Sequence, residues 1–364
     1  MKKIEVRLKN NPYQVSVNCD VTGQLTKYFE KNKYFELVLF VIDRNVFKLH
    51  NTKIKSIINI WKNKKHKIII PATEKNKSYN TLQKIHSVLL RNKFGRDSLI
   101  ISIGGGIIGD ITGFAAATYM RGIPYIQIPT TLLAMVDSSV GGKTGINFLE
   151  KKNIIGSFYQ PASVIIDFSF LSTLTKEERI CGLGEIVKYA FLTNENFFKY
   201  LLRNTGKFIL GDYKNLNFLI YESLNFKTGV VLNDEKEKGL RKVLNLGHTF
   251  AHALEVEQKY KIKHGMAVIW GIACSLYLSN RLQILSDENL HKYLSLLEKF
   301  KNEIKLSKIN PVKIYDIMLS DKKNRKGKIK FVLLKSIGNI LIDVEAGREN
   351  INKSVKDAYM FFAT

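Results

Sequence analysis

Three of the seven histidines in the 364-residue chain fall between positions 248 and 264. His248 and His252 are four residues apart, so a helix would place both imidazoles on one face, one turn apart. His264 follows the basic tract 259–263 and can fold back onto that helix. Neutral imidazoles gathered in this way, with a carboxylate nearby, can hold zinc in an open catalytic site. A helical histidine pair also occurs in cores and on surfaces, so this cluster alone leaves both interpretations open.

A second group of candidate residues follows the apolar segments of the first half of the chain. The segment 99–103 runs into a glycine turn, 104–110, and such a turn at the start of a helix lets backbone amides approach a pyrophosphate. Its spacing departs from G-x-G-x-x-G, and a plain tight turn is the alternative. Asp43 follows an earlier apolar segment, where an acid can bond a ribose hydroxyl.

The segment 137–147 is rich in hydroxyl groups and glycine and carries Lys143. Its Gly-Lys-Thr sequence is not a P-loop, because the first glycine of that motif would fall on Asp137. With Lys152 and Asn153 close behind, the segment suits a polar anionic ligand. Each lysine taken singly is more simply explained as surface charge.

The elements that must position these residues alternate in type. Apolar, β-branched segments lie at 37–42, 67–70, 99–103, 125–128 and 164–166. Helical stretches lie near 45–60, 78–92 and 106–119. This alternation predicts a parallel sheet covered on both faces, with ligands at the carboxyl ends of its strands. Two earlier segments, 4–8 and 13–17, predict a hairpin at the sheet edge.

From about residue 170 onward the pattern changes to long helices, with one late strand pair at 329–334 and 340–344. The apolar tract 265–279 predicts a buried helix. We therefore predict an α/β domain over 1–172 and a mostly helical domain over 173–364.

The chain is strongly basic, with 57 Lys and Arg against 32 Asp and Glu and a formal charge of +25. A positive charge of this size suggests that the protein binds nucleic acid, an anionic membrane or an anionic substrate. The basic residues are scattered in short runs, which favours a solvated, lysine-rich surface over a face for nucleic acid. We predict no nucleic-acid partner, and a basic nucleic-acid-binding module is the non-enzyme alternative.

The cysteines and the apolar segments indicate the cellular compartment of the protein. Cys19, Cys181 and Cys274 are too few and too far apart for a disulfide framework. Charged residues interrupt the N-terminal segment, so it does not resemble a signal peptide, and the most apolar tract is too short to span a bilayer. We predict a cytoplasmic protein without a membrane partner.

Several motifs occur together and in one order. They are GGGIIGD at 104–110, YMRG at 119–122, PTTLLA at 129–134, VDSSVGGKT at 136–144, KN at 152–153, EIVK at 185–188, LNLGHT at 244–249 and HG at 264–265. Together they resemble the 3-dehydroquinate synthase family of the sugar-phosphate cyclase superfamily, over about residues 40 to 340. The resemblance implies a Rossmann-like N-terminal domain that binds NAD and a helical C-terminal domain that carries zinc or cobalt. It also implies conversion of 3-deoxy-D-arabino-heptulosonate 7-phosphate, a step of the shikimate pathway, into 3-dehydroquinate and phosphate.

The resemblance assigns roles residue by residue. The implied metal ligands are Glu185, His248 and His264, which places His252 on the substrate side instead of in a ligand pair with His248. The implied NAD contacts are Asp43, Glu74, Lys77, Gly106, Ile107, Ile108, Gly109, Asp110, Thr130, Thr131, Lys143, Lys152, Phe170, Leu171, Ser172 and Thr173. The implied substrate contacts are Asp137, Lys143, Lys152, Asn153, Lys188, Lys227, Arg241, Asn245, His252 and one of Lys322 or Lys323.

The resemblance also implies a homodimer, in which Arg121 reaches the substrate phosphate of the neighbouring subunit. One departure from the family pattern stands after His264-Gly265, where Met266 replaces the usual acid. Because that position is not a ligand, we expect an effect on packing and no loss of activity. Other sugar-phosphate cyclases and metal-dependent polyol dehydrogenases are the alternative enzymes.

Overall fold

The computed structural model describes residues 2–149, 151–320 and 328–363. The chain forms two compact units, Met1–Leu174 with Ile220–Glu235 and Thr175–Leu219 with Lys236–Thr364. These units differ from the predicted domains, 1–172 and 173–364, in the placement of 220–235. That segment groups with the first unit because Lys227 pairs with Asp137 at 2.9 Å and Glu235 accepts a hydrogen bond from Gln160 at 2.8 Å. The assignment of one function to each predicted domain stays a prediction.

The first unit is built on a seven-stranded sheet. Its strands are β1 (Lys2–Val6), β2 (Tyr13–Val17), β3 (Val38–Asp43), β4 (Lys65–Ile70), β5 (Leu99–Gly104), β6 (Tyr125–Pro129) and, after a separate hairpin, β9 (Ser163–Ile166). The strand order is β1-β2-β9-β6-β5-β3-β4, and every neighbouring pair is parallel except β1 with β2. The apolar, β-branched sequences of β3 and β5 leave no exposed residue, as expected of strands buried inside a parallel sheet.

The three helical stretches predicted in the first half of the chain are present, one of them with a break, and α1 is a helix that was not predicted. The helices of this unit are α1 (Val21–Lys31), α2 (Arg44–Leu49), α3 (Asn51–Ile60), α4 (Tyr79–Arg91), α5 (Gly106–Thr118) and the later part of α8 (Leu216–Asn233). The stretch predicted as one helix near 45–60 is divided at His50, whose φ of −120° lies outside the helical range. Helices α4 and α5 pack on the sheet through a core that includes Leu39, Ile85, Ile100 and Ile111.

A hairpin that the sequence did not predict separates β6 from β9. Its strands are β7 (Lys143–Phe148) and β8 (Lys151–Phe158), paired antiparallel. Lysine and glycine interrupt the apolar alternation here, which is why the segment was interpreted only as a ligand-binding stretch.

The second unit is mostly helical. Its helices are α6 (Lys176–Leu192), α7 (Glu195–Leu210), the beginning of α8, α9 (His248–Glu257), α10 (His264–Arg281), α11 (Asp287–Glu298), α12 (Pro311–Ser320) and α13 (Arg348–Ala363). The predicted late strand pair forms β10 (Lys330–Ser336) and β11 (Asn339–Glu345). The predicted buried helix is α10, which packs against α6, α9, α11, α13 and β10. Within the described ranges no helix is both long and apolar enough to cross a bilayer.

Candidate active site

Three side chains from separate helices converge in the second unit. Glu185 lies on α6, His248 is the first residue of α9, and His264 is the first residue of α10. The Oε1 atom of Glu185 is 3.6 Å from Nε2 of His248 and 3.4 Å from Nε2 of His264. Tetrahedral ligands that are each about 2.1 Å from a zinc ion lie ~3.4 Å from one another. The donor set and its spacing therefore fit a divalent cation.

Glycines beside two of these residues allow the backbones to approach closely. A Cβ atom placed on Gly184 would lie 2.1 Å from the carbonyl oxygen of Gly265, and one on Gly265 would lie 1.8 Å from that of Cys181. Helices α6 and α10 thus cross in backbone contact. Because Gly184 precedes Glu185 and Gly265 follows His264, the crossing places these two side chains next to each other.

A second glycine pair sets the start of α9. Gly247 has a φ of 77°, in the left-handed region that glycine adopts without strain, and it is the N-cap residue directly before His248 and α9. A Cβ atom on Gly271 of α10 would lie 2.2 Å from the carbonyl oxygen of Gly247. No role for these glycines follows from sequence patterns alone, although Gly184, Gly247 and Gly265 each lie directly beside a candidate ligand.

We expect Gly184→Ala to destabilise the second unit and to remove metal binding. A methyl group at the α6–α10 crossing must push the helices apart, and overpacking of this kind costs about 1–3 kcal/mol of unfolding free energy. The measurement is denaturant unfolding, followed by metal uptake of the folded fraction. Gly206→Ala is the matched control, because a Cβ atom at this helical glycine of α7 meets nothing within 4 Å. A Gly184→Ala variant as stable and as metal-competent as Gly206→Ala would contradict the crossing as the basis of the site.

The second nitrogen of each imidazole is held by a neighbouring acceptor. Nδ1 of His248 lies 3.2 Å from the carbonyl oxygen of Leu246, and Nδ1 of His264 lies 3.4 Å from Oε2 of Glu255. A proton on Nδ1 leaves Nε2 of each ring as the ligand atom facing Glu185. Such outer partners fix ring orientation at many metal sites. Glu255 lies two turns after His248 on α9 and is 4% exposed.

The two candidate histidine ligands have opposite pKa shifts. Burial lowers the pKa of His248 to about 3, so this imidazole is neutral and ready to bind a cation. Burial also acts to lower the pKa of His264, but hydrogen bonds to Glu185 and Glu255 outweigh it and raise this pKa to about 10. A metal ion binding here would therefore displace a proton from His264.

Further polar side chains of the predicted substrate set lie in the same unit. Lys188 is 1% exposed and its ammonium pairs with Oε2 of Glu185, while Arg241 is 2% exposed. Asn245 donates a hydrogen bond to Glu237 at 2.8 Å. Lys188 and Arg241 therefore place two buried cationic groups in this unit, and the buried charge of Lys188 is matched by Glu185.

The ring of His252 lies 5.6 Å from that of His248 and 6.0 Å from that of His264. His252, Glu255 and His264 form a second group with donor atoms within 4.8 Å of one another. The first group, with Glu185, matches the ligand set implied by the resemblance. Neither group contains both His248 and His252, the pair that helical spacing alone would select. The role of each residue stays a prediction.

In the first unit, the predicted nucleotide site lies where the strand order reverses. Strand β3 is flanked by β4 on one side and by β5 on the other, so the chain leaves the carboxyl ends of β3 and β5 in opposite directions. Open α/β sheets bind ligands at such points. Asp43 ends β3, and the glycine turn follows β5, so both candidates lie at this place.

The glycine turn leaves the start of α5 open. Gly105 precedes the helix and has no side chain to cap its first-turn N–H groups, which can bind an anion. A Cβ atom on Gly105 would lie 2.9 Å from Thr131, and one on Gly106 would lie 3.0 Å from Ser138. A larger residue at either position would require the Thr131 or Ser138 side chain to move, so glycine leaves room for close approach of a phosphate.

A buried hydroxyl beside the turn supports the same ligand. The backbone N–H of Thr130 donates to Gly104 at 3.0 Å, but its Oγ1 atom has no hydrogen-bond partner among the described residues. Leaving a buried hydroxyl unsatisfied is unfavourable. Together with the open amides of α5, this atom fits a polar nucleotide at the end of β6.

The other predicted NAD contacts surround these strand ends. Asp43 is 7% exposed and accepts a hydrogen bond from the N–H of Asn45 at 3.0 Å. Lys77 is 4% exposed and pairs with Asp110 at 2.5 Å. Burial raises the pKa of Asp110, and Lys77 opposes that shift. The stretch Phe168–Thr173 is a 3-10 helix in which Phe170 and Leu171 are buried, Ser172 is exposed, and Thr173 bonds His50 at 2.7 Å.

The remaining predicted contacts of this unit are placed as follows. Asp137 lies within a π-helical turn, Ala134–Ser138, and pairs with the buried Lys227. On the hairpin β7–β8, Lys143 and Asn153 are exposed and Lys152 is half-buried. Arg121 is exposed and follows Met120, both with φ in the left-handed region. Lys322 and Lys323 lie outside the described residues.

Comparison with known families confirms the family resemblance that the motifs indicated. A family model described as the N-terminal part of 3-dehydroquinate synthase matches residues 67–181, and one described as its C-terminal part matches residues 182–324. The chain belongs to the 3-dehydroquinate synthase family. A 3-dehydroquinate synthase of Pelagibacter ubique is 39% identical over 97% of this chain and 98% of its own length. One of Endomicrobium trichonymphae is 43% identical over 93% of each chain.

Solved structures confirm the predicted fold class. A 2-deoxy-scyllo-inosose synthase complexed with carbaglucose-6-phosphate, NAD+ and Co2+ superposes with a TM-score of 0.88 at 20% identity, covering 98% of this chain and 99% of its own. A 2-epi-5-epi-valiolone synthase from Streptomyces hygroscopicus with NAD+ and Zn2+ bound gives a TM-score of 0.86 at 24% identity, covering 97% and 98%. A probable glycerol dehydrogenase from Sinorhizobium meliloti gives a TM-score of 0.63 at 12% identity, covering 96% and 97%. The chain thus shares with these structures the predicted fold class, a Rossmann-like N-terminal domain with a helical C-terminal domain.

Proposed function

We propose that the chain converts 3-deoxy-D-arabino-heptulosonate 7-phosphate into 3-dehydroquinate and phosphate, as a carbon–oxygen lyase that depends on NAD and on zinc or cobalt. The observation that carries the proposal is the convergence of Glu185, His248 and His264 at the spacing of tetrahedral ligands. Family membership supports the reaction, and the NAD+, Co2+ and Zn2+ complexes of the structural relatives support the cofactors.

The proposed cofactors supply the chemistry that side chains lack. When bound, a divalent ion held by three protein ligands would supply Lewis-acid chemistry for the sugar oxygens, and NAD would supply a reversible hydride acceptor. Glu185 and the two histidines would hold the ion, while the open amides of α5 and the Thr130 hydroxyl would bind the nucleotide. Because the hydride is returned, NAD is not consumed.

The proposed substrate carries a carboxylate and a phosphate, and each unit has cationic side chains of the kind that bind such groups. Lys188 and Arg241 are buried in the second unit, and Lys143 and Lys152 lie on the hairpin of the first. Hydrogen bonds from such cations to anionic oxygens are about twice as strong as neutral ones. The substrate phosphate can itself accept the proton that is lost during elimination, so no separate side-chain base is required. Orientation of the reacting groups can supply roughly 7–11 kcal/mol towards the later steps.

We further propose that the protein acts as a cytoplasmic homodimer in which Arg121 reaches a phosphate bound by the partner subunit. The exposed position of Arg121 and the left-handed backbone at Met120 and Arg121 support a special role for this loop. Strained backbone of this kind is enriched at functional sites.

A substrate panel tests the proposal against the related enzymes. The NAD- and zinc-loaded protein is incubated with the heptulosonate phosphate, a hexose 6-phosphate or glycerol, and carbon NMR identifies the product. We expect 3-dehydroquinate from the first compound and no change in the others. A carbocycle formed from the hexose phosphate would instead assign another cyclase activity, and oxidation of glycerol would assign a polyol dehydrogenase.

A further inference from the structure

The hairpin β7–β8 contains an irregularity at Asn147. The pairing is regular from Lys143 with Phe158 to Ile146 with Ile155, and the register then shifts before the pair Phe148 with Lys151. Bulges near functional sites often turn a side chain out of the ladder and towards a ligand or a loop.

Asn147 uses this position to join three segments of the first unit. Its backbone N–H donates to the carbonyl oxygen of Lys77 at 2.8 Å. Its side-chain Nδ2 donates to Oε2 of Glu74 at 2.7 Å and to the carbonyl oxygen of Glu74 at 3.1 Å. Its Oδ1 accepts from the backbone N–H of Asn153 at 3.0 Å. Both ends of the carboxamide are therefore engaged, and no apolar or singly functional side chain reproduces this set.

Asn153, on the opposite strand, has a φ of 54°, in the left-handed region that costs energy for any residue but glycine. The bond from its N–H to Asn147 stabilises that conformation. Its side-chain Oδ1 accepts from the ammonium of Lys77, which also pairs with Asp110. Lys77 and Asn147 each bond Asn153, and Asn147 also bonds Lys77, so the three residues form a ring of hydrogen bonds.

The partners of Asn147 fall into two functional sets. Glu74 and Lys77 belong to the residues proposed to contact NAD, whereas Asn153 belongs to those proposed to contact the sugar phosphate. We propose that Asn147 is a positioning residue that couples the nucleotide-contact segment 74–77 to the substrate contact Asn153. This inference rests on the proposed function, and it adds that ordering of the 74–77 segment by NAD fixes Asn153 before the sugar phosphate binds.

The test compares Asn147→Ala with a matched control, Asn92→Ala. Asn92 also donates a side-chain bond, to the carbonyl oxygen of Val88 at 2.8 Å, but it caps the C-terminus of α4 and, among the described residues, makes no hydrogen bond to the proposed site residues. We expect Asn147→Ala to raise both the Kd for NAD and the KM for the heptulosonate phosphate about tenfold, the scale of one or two lost side-chain hydrogen bonds. The Kd is measured by quenching of protein fluorescence and the KM by phosphate release, and denaturant unfolding of both variants controls for stability.

A charge swap separates positioning from general support of the fold. Asn147→Asp keeps the Oδ1 acceptor for Asn153 but places a carboxylate against Glu74, so NAD affinity should fall. In the Glu74→Gln background the new amide donates to the new carboxylate, and the same Asn147→Asp change should then cost much less. The swap also carries the test if Asn147→Ala does not fold.

The inference is overturned if Asn147→Ala leaves both constants within about twofold of wild type, a difference smaller than one hydrogen bond. It is also overturned if Asn147→Asp costs the same in both backgrounds. A wild-type protein that binds NAD but releases no phosphate from the heptulosonate phosphate would refute the proposed function instead. The NAD affinities would still report on the coupling of Asn147 to Glu74.

Discussion

His264→Ala is expected to abolish metal binding and turnover together while the first unit continues to bind NAD. The variant removes one of three converging ligands and leaves Glu185 and His248 as an incomplete pair. Loss of a catalytic cation removes several kcal/mol of transition-state stabilisation, so kcat should fall at least ~10³-fold. Metal content after dialysis, NAD affinity and phosphate release are measured on one preparation.

His291→Ala is the matched control for this variant, because His291 is an exposed histidine of α11 whose Nδ1 lies near a backbone carbonyl. It should retain metal and rate. A His264→Ala protein with a full complement of zinc and an unchanged rate would refute the assigned ligand set. Retention of zinc with loss of rate would show that His264 acts on the substrate and is not required to hold the ion.

Lys143→Ala is expected to keep its metal but to lose about 10²–10³-fold in kcat/KM, the usual cost of removing one preorganised electrostatic contact. Lys143 is the exposed first residue of β7 and follows Gly141 and Gly142, whose φ values of 100° and 67° only glycine adopts easily. That turn presents the lysine at the base of the hairpin, and the family pattern assigns it to both NAD and substrate.

Lys151→Ala is the control for the lysine variant, because Lys151 is also exposed and begins the partner strand β8 without belonging to the proposed contacts. It should change kcat/KM by less than about twofold, since an exposed charge contributes little. Equal losses in the two variants would point to a general effect of surface charge. Loss of zinc from Lys143→Ala would show that this lysine supports the fold.

Local patterns were sufficient to predict the parallel sheet and the long buried helix. Strands such as β3 and β5 are apolar throughout because both of their faces are covered, and this produces a signal within a few residues. The glycine turn could be placed at the end of a strand for the same reason. The sequence around His50 continues the helical pattern, so the break between α2 and α3 could not be predicted from it.

The metal-binding arrangement could not be predicted from spacing alone. Helical periodicity pairs His248 with His252, because it detects only neighbours within one element. Glu185 and His264 come close to His248 through the crossings at Gly184, Gly265, Gly247 and Gly271, which are contacts between residues distant in sequence. The resemblance to a family supplied Glu185 where local reasoning could not.

The hairpin β7–β8 of the first unit likewise could not be predicted from local sequence patterns. Its sequence alternates poorly, so neither its strands nor the bulge at Asn147 could be predicted. The bonds from Asn147 to Glu74 and Asn153 depend on that bulge. The grouping of 220–235 with the first unit likewise depends on a long-range ion pair, Lys227 with Asp137.

The central claim is that this chain eliminates phosphate from the heptulosonate phosphate while NAD is used and regenerated at a metal site. The most direct test records released phosphate and NADH absorbance together in one sample, with NAD and zinc present and then after a chelator is added. The account predicts steady phosphate release with no accumulation of NADH, a stop after chelation, and recovery when zinc is restored. Stoichiometric NADH formation, or phosphate release that persists without NAD or metal, would contradict it.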